Sequence, residues 1–446
     1  MQLPYRFYIN KRTMINKQCY WLRNAHVPSC LSDLNDIRQT REGLCLVDLK
    51  IARGKIEQVV AVNQSEVDRE IPNIDLAKKI VLPCPIDVHT HLDKGHIWER
   101  SPNTDGTFDM ALSKAIADSE EHWQSEDVYR RMEFGLKCSY AHGTQAIRTH
   151  IDSYGKQANI SLDVLQSLQS TWQDKITLQA VSLVSLDYYQ TPAGVKLADK
   201  IAIIGGVLGG VAWQNPDLDA QLDSIFKLAK ERDLDLDFHA DENGDPNSIC
   251  LQKIARSALR HNFMGKITCG HCCSLAVQSS KVVRETIELI KQSKIAIVSL
   301  PMCNLYLQDR QVATTPYWRG ITKVKELHKH NIPVAFASDN CRDPFFGFGD
   351  HDMLEVLEQS VRIAHLDTPY ANWIESITTI PAEIIGLNNV GKIIPGNRAD
   401  IIIFTARYFS ELLSRSQHNR VIIRDGKQIE AQLPDYSELD DLVVRN

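Results

Sequence analysis

The chain has 446 residues, of which 43% are hydrophobic and 24% are charged, values typical of globular proteins. Its formal net charge of -6 argues against a dedicated nucleic-acid binder, because phosphate contacts need an excess of basic side chains. No uninterrupted apolar run approaches the roughly 20 residues that a membrane-spanning helix needs, so we expect no membrane partner.

The N-terminal residues and the cysteines both favour a cytoplasmic protein. Residues 1–17 contain no apolar core of the kind that marks a secretory signal. The 11 cysteines are scattered, odd in number and include no C-x-x-C pair, which argues against a cysteine zinc site. We therefore expect reduced thiols, most of them buried in the core.

The predicted elements begin with a hairpin over residues 47–62, with Arg53-Gly54 as its turn. From residue 80 onward, short apolar runs alternate with longer amphipathic stretches. The eight runs are IVLPCPIDV, TQAIRTH, ITLQAVSLV, AIIGGVLGGV, LDLDFHA, KITCGH, IAIVSL and PVAFAS. Residues 218–233 and 280–293 repeat apolar side chains at three- and four-residue steps, as helices do. The alternation predicts an α/β fold, and eight parallel strands predict a (β/α)8 TIM barrel.

Short strands are predicted again near the end of the chain, at 399–406 and 419–429, with Asp425-Gly426 as a hairpin turn. Strands from both chain ends could form one small discontinuous β-sandwich domain, or two unrelated β-arms on the barrel. The family resemblance given below favours the first arrangement. The predicted boundaries are 17–80 and 393–432 for the two parts of the small domain, and 81–392 for the barrel.

Chemically active side chains follow several of the predicted barrel strands, where the functional residues of such barrels lie. The first run ends in His89-Thr90-His91, and alternation along a strand directs both imidazoles to the same face. Other strand ends carry His239 and Glu242, His271, and Asp339. Each residue alone is more simply explained as structural. Together on one rim they predict a site for zinc or ferrous iron, which prefer such ligands.

Seven segments carry a family resemblance, in the family's order. They are P-I-D-V-H-T-H-L-D at 85–93, I-R-T-H-I-D at 147–152, F-H-A-D-E at 238–242, G-H at 270–271, L-Y-L-Q-D-R at 305–310, R-G-I-T-K-V-K-E-L at 319–327 and A-S-D-N at 337–340. With these segments the chain resembles the amidohydrolase superfamily, and within it the bacterial cytosine deaminases and isopropylammelide hydrolases.

The resemblance implies a role for each residue at the strand ends. The implied metal ligands are His89, His91, His239 and Asp339. His271 would hydrogen-bond the reacting water or the substrate, and Glu242 would shuttle protons. Members with two metals carry a bridging lysine at the end of the third or fourth strand, and no lysine is suitably placed here. We therefore expect one divalent ion, zinc or iron.

This set of residues predicts deamination of a small nitrogen heterocycle such as cytosine. The ion lowers the pKa of water toward roughly 7. Asp339 would then take a proton from that water while Glu242 protonates the ring nitrogen beside the attacked carbon. The amino group would leave as ammonia, with His271 stabilising the developing charge.

The substrate pocket departs from the cytosine deaminase pattern. A glutamine that reads the pyrimidine edge falls near Ser185 here, an aspartate becomes Asn340, and a tryptophan becomes Phe345. Gln308 is a further candidate for substrate binding, with an exposed polar loop as the alternative. The sequence leaves the roles of His150, Arg148 and Lys94 open, although Arg148 and Asp152 could form a buried ion pair.

Three hypotheses for the function follow, all with a small-molecule partner except the last. The first is the deaminase. The second is an amidohydrolase of a cyclic amide or an N-alkyl triazine, which would not need Glu242 as an acid toward a ring nitrogen. The third is a barrel retained as a non-catalytic module, although no expected ligand is missing. The sequence leaves open whether the protein forms a homo-oligomer.

Overall fold

A computed structural model of the protein describes residues 18–34, 37–62, 70–416 and 419–443. The prediction about residues 1–17 lies outside these ranges, as does the first residue of the predicted 17–80 segment. The chain divides into two compact units, Met1–Ile86 with Leu366–Gln432 and Asp87–His365 with Leu433–Asn446. In the part that the structure describes, no helix is both long enough and apolar enough to span a membrane.

The first unit contains two four-stranded sheets. One has the order β3-β2-β1-β4 and consists of β1 (Cys19–Pro28), β2 (Leu44–Ala52), β3 (Lys55–Ala61) and β4 (Asn73–Asp75). The other has the order β16-β15-β14-β5 and consists of β5 (Val81–Pro83), β14 (Ile401–Phe404), β15 (Arg420–Arg424) and β16 (Lys427–Gln428). Buried side chains from both chain ends, such as Leu49 and Ile401, belong to one hydrophobic core. The two ends therefore form one β-sandwich domain, not two separate arms.

Both predicted hairpin turns are confirmed. Arg53 and Gly54 have φ of 49° and 77°, and Asp425 and Gly426 have φ of 49° and 70°. Two consecutive left-handed residues match the right-handed twist of the strands on either side of a two-residue turn. The turns also meet, because a Cβ on Gly426 would lie 3.0 Å from the Gly54 Cα. Glycine is needed there for its small size as well as for its backbone conformation.

The second unit contains the eight predicted barrel strands. They are β6 (Ile86–Thr90), β7 (Ala146–Asp152), β8 (Thr177–Leu183), β9 (Leu208–Ala212), β10 (Leu236–Ala240), β11 (Ile267–His271), β12 (Ala296–Ser299) and β13 (Val334–Phe336). They form sheets of three and five strands, β6-β7-β8 and β9 to β13. Parallel bridges Val181–Val207 and Thr90–Asp339 join the two sheets at both edges. The bridges close the (β/α)8 barrel, which confirms the predicted fold class.

The first and fourth apolar runs each contain more than a barrel strand. Residues 81–83 form β5 and pair antiparallel with β14, and the barrel strand begins only at Ile86. Pro83 and Pro85 lack the N–H that a continuous ladder would use, so the run divides there. In the fourth run, Ala202 and Ile203 close a helix, and the strand begins at Leu208.

Helices connect and follow the strands. They are α1 (Phe108–His122), α2 (Ser125–His142), α3 (Gly155–Trp172), α4 (Pro192–Ile203), α5 (Leu218–Arg232), α6 (Cys250–Arg260), α7 (Ser280–Ser293), α8 (Pro301–Leu307), α9 (Val324–Lys329), α10 (Met353–Ile363), α11 (Thr379–Ile385), α12 (Phe409–Leu412) and α13 (Asp440–Val443). The predicted helices at 218–233 and 280–293 correspond to α5 and α7. The N-terminus of α7 is capped by Ser279, whose side chain accepts from the Val282 N–H.

A buried ion-pair cluster fixes the segment that follows β6. Arg100 contacts Asp118 of α1 at 2.9 Å and Asp127 of α2 at 2.6 Å, and it also donates to the Leu442 carbonyl at 3.0 Å. Arg131 contacts Asp127 at 2.6 Å and donates to the carbonyls of residues 93 and 95. The cluster thus links two helices and α13 to the segment immediately beyond His91.

Replacing Arg100 tests this cluster. Arg100→Ala leaves the Asp118 and Asp127 carboxylates buried without that partner, and we expect a loss of about 3–5 kcal/mol in the free energy of unfolding. Urea denaturation measures the loss. Lys281→Ala is the control, because Lys281 contacts Glu285 at 4.0 Å on the surface and should matter by less than about 0.5 kcal/mol. Equal stability of the Arg100 variant and the parent would contradict the role of the cluster.

Candidate active site

The C-terminal ends of the barrel strands bring three imidazoles and one carboxylate together. His239 Nε2 lies 3.2 Å from His89 Nε2 and 3.3 Å from His91 Nε2. Asp339 Oδ1 lies 3.5 Å from His89 Nε2 and 3.2 Å from His91 Nε2. All four side chains are buried. The residues predicted as ligands therefore converge on one point at the barrel mouth.

This geometry fits a divalent ion. Ligand atoms about 2.0–2.1 Å from a zinc ion at tetrahedral angles lie roughly 3.3–3.4 Å apart, close to the separations observed. In the described part of the chain, the Cys303 thiol acts as a hydrogen-bond donor toward the Asp339 carboxylate, and no nitrogen or oxygen donor hydrogen-bonds to it. Burial lowers the pKa of His89, His91 and His239 well below the usual range, so the rings are neutral and offer lone pairs.

Backbone contacts between β6 and β13 hold Asp339 in place. Its φ is 64°, its N–H donates to the His89 carbonyl at 2.9 Å, and the Thr90 hydroxyl donates to its carbonyl at 2.9 Å. Asp87 accepts from the backbone N–H and the hydroxyl of Ser338 at 3.1 and 2.5 Å. Asp339 is thereby fixed in a left-handed conformation that is uncommon outside glycine, as is frequent at functional sites.

Glu242 and His271 form a second group beside Asp339, with Asn304 of α8. Glu242 Oε1 lies 3.2 Å from His271 Nδ1, and Asn304 Nδ2 donates to His271 Nδ1 at 3.0 Å. Because Nδ1 accepts, the proton of the neutral ring lies on Nε2, which has no hydrogen-bond partner among the described residues. Burial lowers the pKa of His271 to about 4, although the Asp339 carboxylate opposes this. The structure therefore favours a neutral N–H donor over a cation.

The protonation of Glu242 follows from its surroundings. Burial raises its pKa well above the usual range, and the neighbouring Asp339 carboxylate adds to this shift. Ligand atoms of Glu242, His271 and Asp339 all lie within 4.8 Å of one another. The site thus brings together the neutral ring of His271, the protonated carboxyl group of Glu242 and the carboxyl group of Asp339. All three lie within reach of one small molecule.

The structure settles the partners of Arg148, Lys94 and Asp152. Arg148 contacts Asp237 at 2.8 Å, whereas Asp152 contacts Lys94 at 2.8 Å. The suggested Arg148–Asp152 pair is wrong, because residues four apart on one strand are separated by roughly 13 Å. Sequence patterns could not show that Arg148 reaches across the barrel to β10.

His150 lies inside the barrel next to the predicted ligands. Its ring centroid is 3.9 Å from that of His89, and its Nε2 is 3.3 Å from Asp237 Oδ1. A ligand nitrogen of His150 also lies within 4.8 Å of those of His89 and His239. Its position is therefore suited to holding the His89 ring in orientation or to joining the ligand set.

The four predicted substrate residues differ in their relation to this site. Gln308 donates to the Glu242 carbonyl at 3.2 Å, and the Phe345 ring lies 5.5 Å from Lys94 Nζ. Asn340 instead donates to Asp343 at 2.7 Å. Ser185 follows β8, with its backbone N–H bonded to the Tyr154 hydroxyl. Gln308 thus contacts a residue of the site and Phe345 lies beside Lys94, whereas Asn340 and Ser185 have other partners.

A row of aromatic rings crosses the barrel mouth and was not predicted. The Phe345 centroid lies 5.5 Å from that of Phe108, which lies 6.0 Å from that of Trp213, both in edge-to-face geometry. Phe345 follows β13 and Trp213 follows β9, the eighth and fourth strands of the barrel, which lie opposite each other. Asn103 holds the row by donating to the carbonyls of Thr107 and Pro344. Phe108 lies at the start of α1, and no local pattern links it to the other two rings.

Comparison with known proteins agrees with this geometry. The family model described as "Amidohydrolase family" matches residues 133–428, and the chain belongs to that family. It is therefore a hydrolase acting on C–N bonds, which confirms the enzyme prediction over the non-catalytic module.

Individual relatives narrow the class of enzyme within this family. The chain is 45% identical over 431 residues to a pterin deaminase from Rhizobium rhizogenes, covering 96% of this chain and 98% of that protein. It is 25% identical to an N-isopropylammelide isopropyl amidohydrolase from Pseudomonas, covering 86% and 93%. A 5-methylcytosine deaminase from Klebsiella pneumoniae has a similar fold, with a TM-score of 0.79, 25% identity and coverage of 92% and 98%. These relatives confirm the predicted deaminase branch.

The ligand set is tested by a matched pair of variants. His239→Ala removes a predicted ligand, and we expect the purified protein to lose about one equivalent of metal. His271→Ala removes an equally buried imidazole that is not predicted to bind the ion, and its metal content should equal that of the parent. Mass spectrometry of the elements measures both. Retention of metal by the His239 variant, or its loss from the His271 variant, would contradict the assignment.

Proposed function

We propose that this protein is a metal-dependent deaminase that converts an aminated nitrogen heterocycle of the pterin class into the oxo compound and ammonia. The observation that carries the proposal is the partly buried, proton-retaining Glu242 beside Asp339 and His271. The pterin deaminase from Rhizobium rhizogenes, 45% identical over nearly the whole chain, supports the substrate class. Cytosine shares the aminopyrimidine ring and remains the monocyclic alternative.

His89, His91, His239 and Asp339 would hold the divalent ion, zinc or iron. The chemistry that such an ion supplies is Lewis-acid activation of water at neutral pH. Carboxylate and imidazole ligands suit either metal. No lysine is available to bridge a second ion in this cluster, so we propose a mononuclear centre.

The protons would move between three side chains. Asp339 accepts a proton from the attacking water, because its carboxylate oxygens have no nitrogen or oxygen hydrogen-bond donor among the described residues. Glu242 donates its proton to the ring nitrogen next to the attacked carbon, which makes that carbon electrophilic. The proton taken up by Asp339 then passes to the amino group, which leaves as ammonia. The proton of the added hydroxyl returns to the Glu242 carboxylate as the oxo group forms, which restores Glu242 for the next turnover. The Nε2–H of His271 donates to the attacking oxygen as negative charge develops there.

The row Phe345–Phe108–Trp213 supports a flat substrate larger than one ring. Aromatic faces and edges bind planar heterocycles by stacking and edge contacts. The row begins at Phe345, next to Lys94, and extends toward the opposite side of the barrel mouth. A bicyclic substrate bound along the row would contact more of its rings than a monocycle of the same kind.

A second candidate function is hydrolysis of an N-alkyl triazine or a cyclic amide. The 25% identical N-isopropylammelide isopropyl amidohydrolase favours it, because that relative covers 86% of this chain. The two candidates differ in product, since the deaminase releases ammonia and the triazine hydrolase releases an alkylamine. Ring opening without release of either would indicate a cyclic amide.

The function is tested by incubating metal-loaded protein with pterin, cytosine and N-isopropylammelide and measuring ammonia and isopropylamine. We expect ammonia from pterin at the highest kcat/KM. Glu242→Gln should keep its metal and lose about 100-fold or more in kcat, because it cannot donate the proton. Glu326→Gln, a surface carboxylate change, is the control and should match the parent. Isopropylamine as the main product would refute the deaminase.

The aromatic row yields a separate test of substrate size. Trp213→Ala should raise KM for pterin about 2- to 10-fold, the scale of one aromatic contact, and leave KM for cytosine unchanged. Tyr317→Ala is the control, because Tyr317 is an exposed aromatic residue outside the row. Equal effects on both substrates would show that the row does not select for the second ring.

We also propose a cellular location, a domain assignment and a partner for this protein. All 11 cysteines are free thiols, which supports a cytoplasmic location. We propose that the hydrolase chemistry belongs to the barrel, predicted at 81–392, and not to the small β-domain, predicted at 17–80 and 393–432. Val81–Pro83 and Leu366–Gln432 group with the small β-domain, so the barrel boundaries lie inside the predicted ones. The predicted partner is a small heterocycle.

A further inference from the structure

A second group of metal-binding side chain types lies in the barrel unit, separate from the residues assigned to catalysis. It consists of His96 in the segment after β6, Cys341 after β13 and His351 just before α10. One ligand atom from each lies within 4.8 Å of the other two. The two Nε2 atoms are 3.2 Å apart. All three side chains are buried, with 3%, 2% and 2% exposure. We call this group the His96 cluster.

The facing imidazoles of the His96 cluster need something between them. Burial lowers the pKa of His96 well below its usual range and that of His351 to about 4, so both rings are neutral. Two lone pairs at 3.2 Å repel each other unless a proton or a metal ion lies between them. The Nδ1 atoms of both rings have no partner among the described residues, so each ring interacts mainly through Nε2.

The surrounding backbone holds the cluster in this arrangement. The His96 N–H donates to the Cys341 carbonyl at 3.2 Å, and the Ile97 N–H donates to the Arg342 carbonyl at 2.9 Å. His96 and His351 have φ of 62° and 53°, which fixes the direction of both side chains at some cost in backbone energy. Helix α2 makes room for the second ring at Gly135, where a Cβ would lie 3.1 Å from His351 Nε2.

We propose that His96, Cys341 and His351 bind one closed-shell transition-metal ion, Cu⁺ or Zn²⁺, through two imidazole nitrogens and one thiolate. With metal–nitrogen distances of about 2.0–2.1 Å and a metal–sulfur distance of about 2.3 Å, the ligand atoms lie roughly 3.3–3.7 Å apart. The observed Nε2–Nε2 distance of 3.2 Å is close to that spacing, and the Cys341 sulfur lies within 4.8 Å of a nitrogen of each ring. Cys341 gives up its proton to solvent as the metal–sulfur bond forms.

The softness of the ligands decides between the two ions, because the surrounding charges are mixed. Arg131 and Arg342 act on His96 as nearby positive charges, and Asp350 acts on His351 and Cys341 as a nearby negative charge. One thiolate and two neutral imidazoles leave Cu⁺ with no net charge and Zn²⁺ with one positive charge. Soft thiolate ligands and three-coordination also suit Cu⁺. The site therefore favours the monovalent ion, which would join the segments after β6 and β13 without taking part in catalysis.

Cobalt and copper titrations of the metal-free full-length protein test the proposal. Co²⁺ bound by Cys341 gives a near-ultraviolet thiolate charge-transfer band, which nitrogen and oxygen ligands of the catalytic cluster cannot give. Competition with a coloured Cu⁺ chelator measures the monovalent ion. We expect one equivalent bound with Cys341 in at least one of the two titrations, and loss of that binding in Cys341→Ser and in His351→Leu.

A buried cysteine of the β-sandwich supplies the matched control. Cys45 is fully buried, and its thiol donates to the Val27 carbonyl at 3.2 Å, so Cys45→Ser should bind both metals as the parent does. If Cys341→Ser does not fold, the His351→Leu and Cys45→Ser proteins still decide the question. No thiolate band together with no chelator competition in the parent would overturn the proposal and leave a proton shared between the two rings. Neither titration depends on turnover, so failure of the proposed deaminase would be seen separately.

Discussion

The hydrogen bond from the Asp339 N–H to the His89 carbonyl is the contact on which the site depends. It closes the barrel between its first and eighth strands, and in doing so it places a carboxylate beside two imidazoles that the first strand carries. Residues 249 and 250 positions apart in sequence thereby come within 3.5 Å. Ser338 and Asp87 reinforce the same joint. A barrel that failed to close here would lose both its core and its ligand set.

Burial then determines what each of these groups can do. It keeps the ligand imidazoles neutral, so they offer lone pairs, and it keeps the Glu242 proton in place. Asn304 completes the arrangement because its amide group donates a hydrogen bond to Nδ1 of His271. The proton of the neutral His271 ring therefore lies on Nε2. The same physical effect thus produces bases and an acid within a few ångströms, because it disfavours charge on every group.

Much of the fold and several of the site residues were predictable from the sequence, because the patterns that indicate them are local. Alternation along β6 places His89 and His91 on one face, and Asn- or Asp-type turns followed by glycine, such as Asp425-Gly426, fix a hairpin within four residues. The eight apolar runs likewise mark strands whose order in a barrel follows their order in the chain. Pro83 and Pro85 were visible too, but the apolar character of the run outweighed them in the prediction.

The parts that escaped prediction depend on contacts between distant segments. Arg148 pairs with Asp237 across the barrel interior, and no spacing rule links them. Asn304 acts only through its distance to His271, and nothing in its own helix marks it. No sequence pattern distinguishes Phe108 and Trp213 from other aromatic residues. They become neighbours only because the closed barrel brings the segments that carry them to the same opening. Such pairings require the register of all eight strands to be known.

The contact between Arg100 and the Leu442 carbonyl has a consequence for biosynthesis. Arg100 belongs to the cluster that secures the segment beyond His91, yet one of its partners is made more than 300 residues later, after the second part of the β-sandwich. During translation the barrel strands emerge long before that partner does. The packing around Arg100 is therefore completed only after residue 442 has left the ribosomal tunnel.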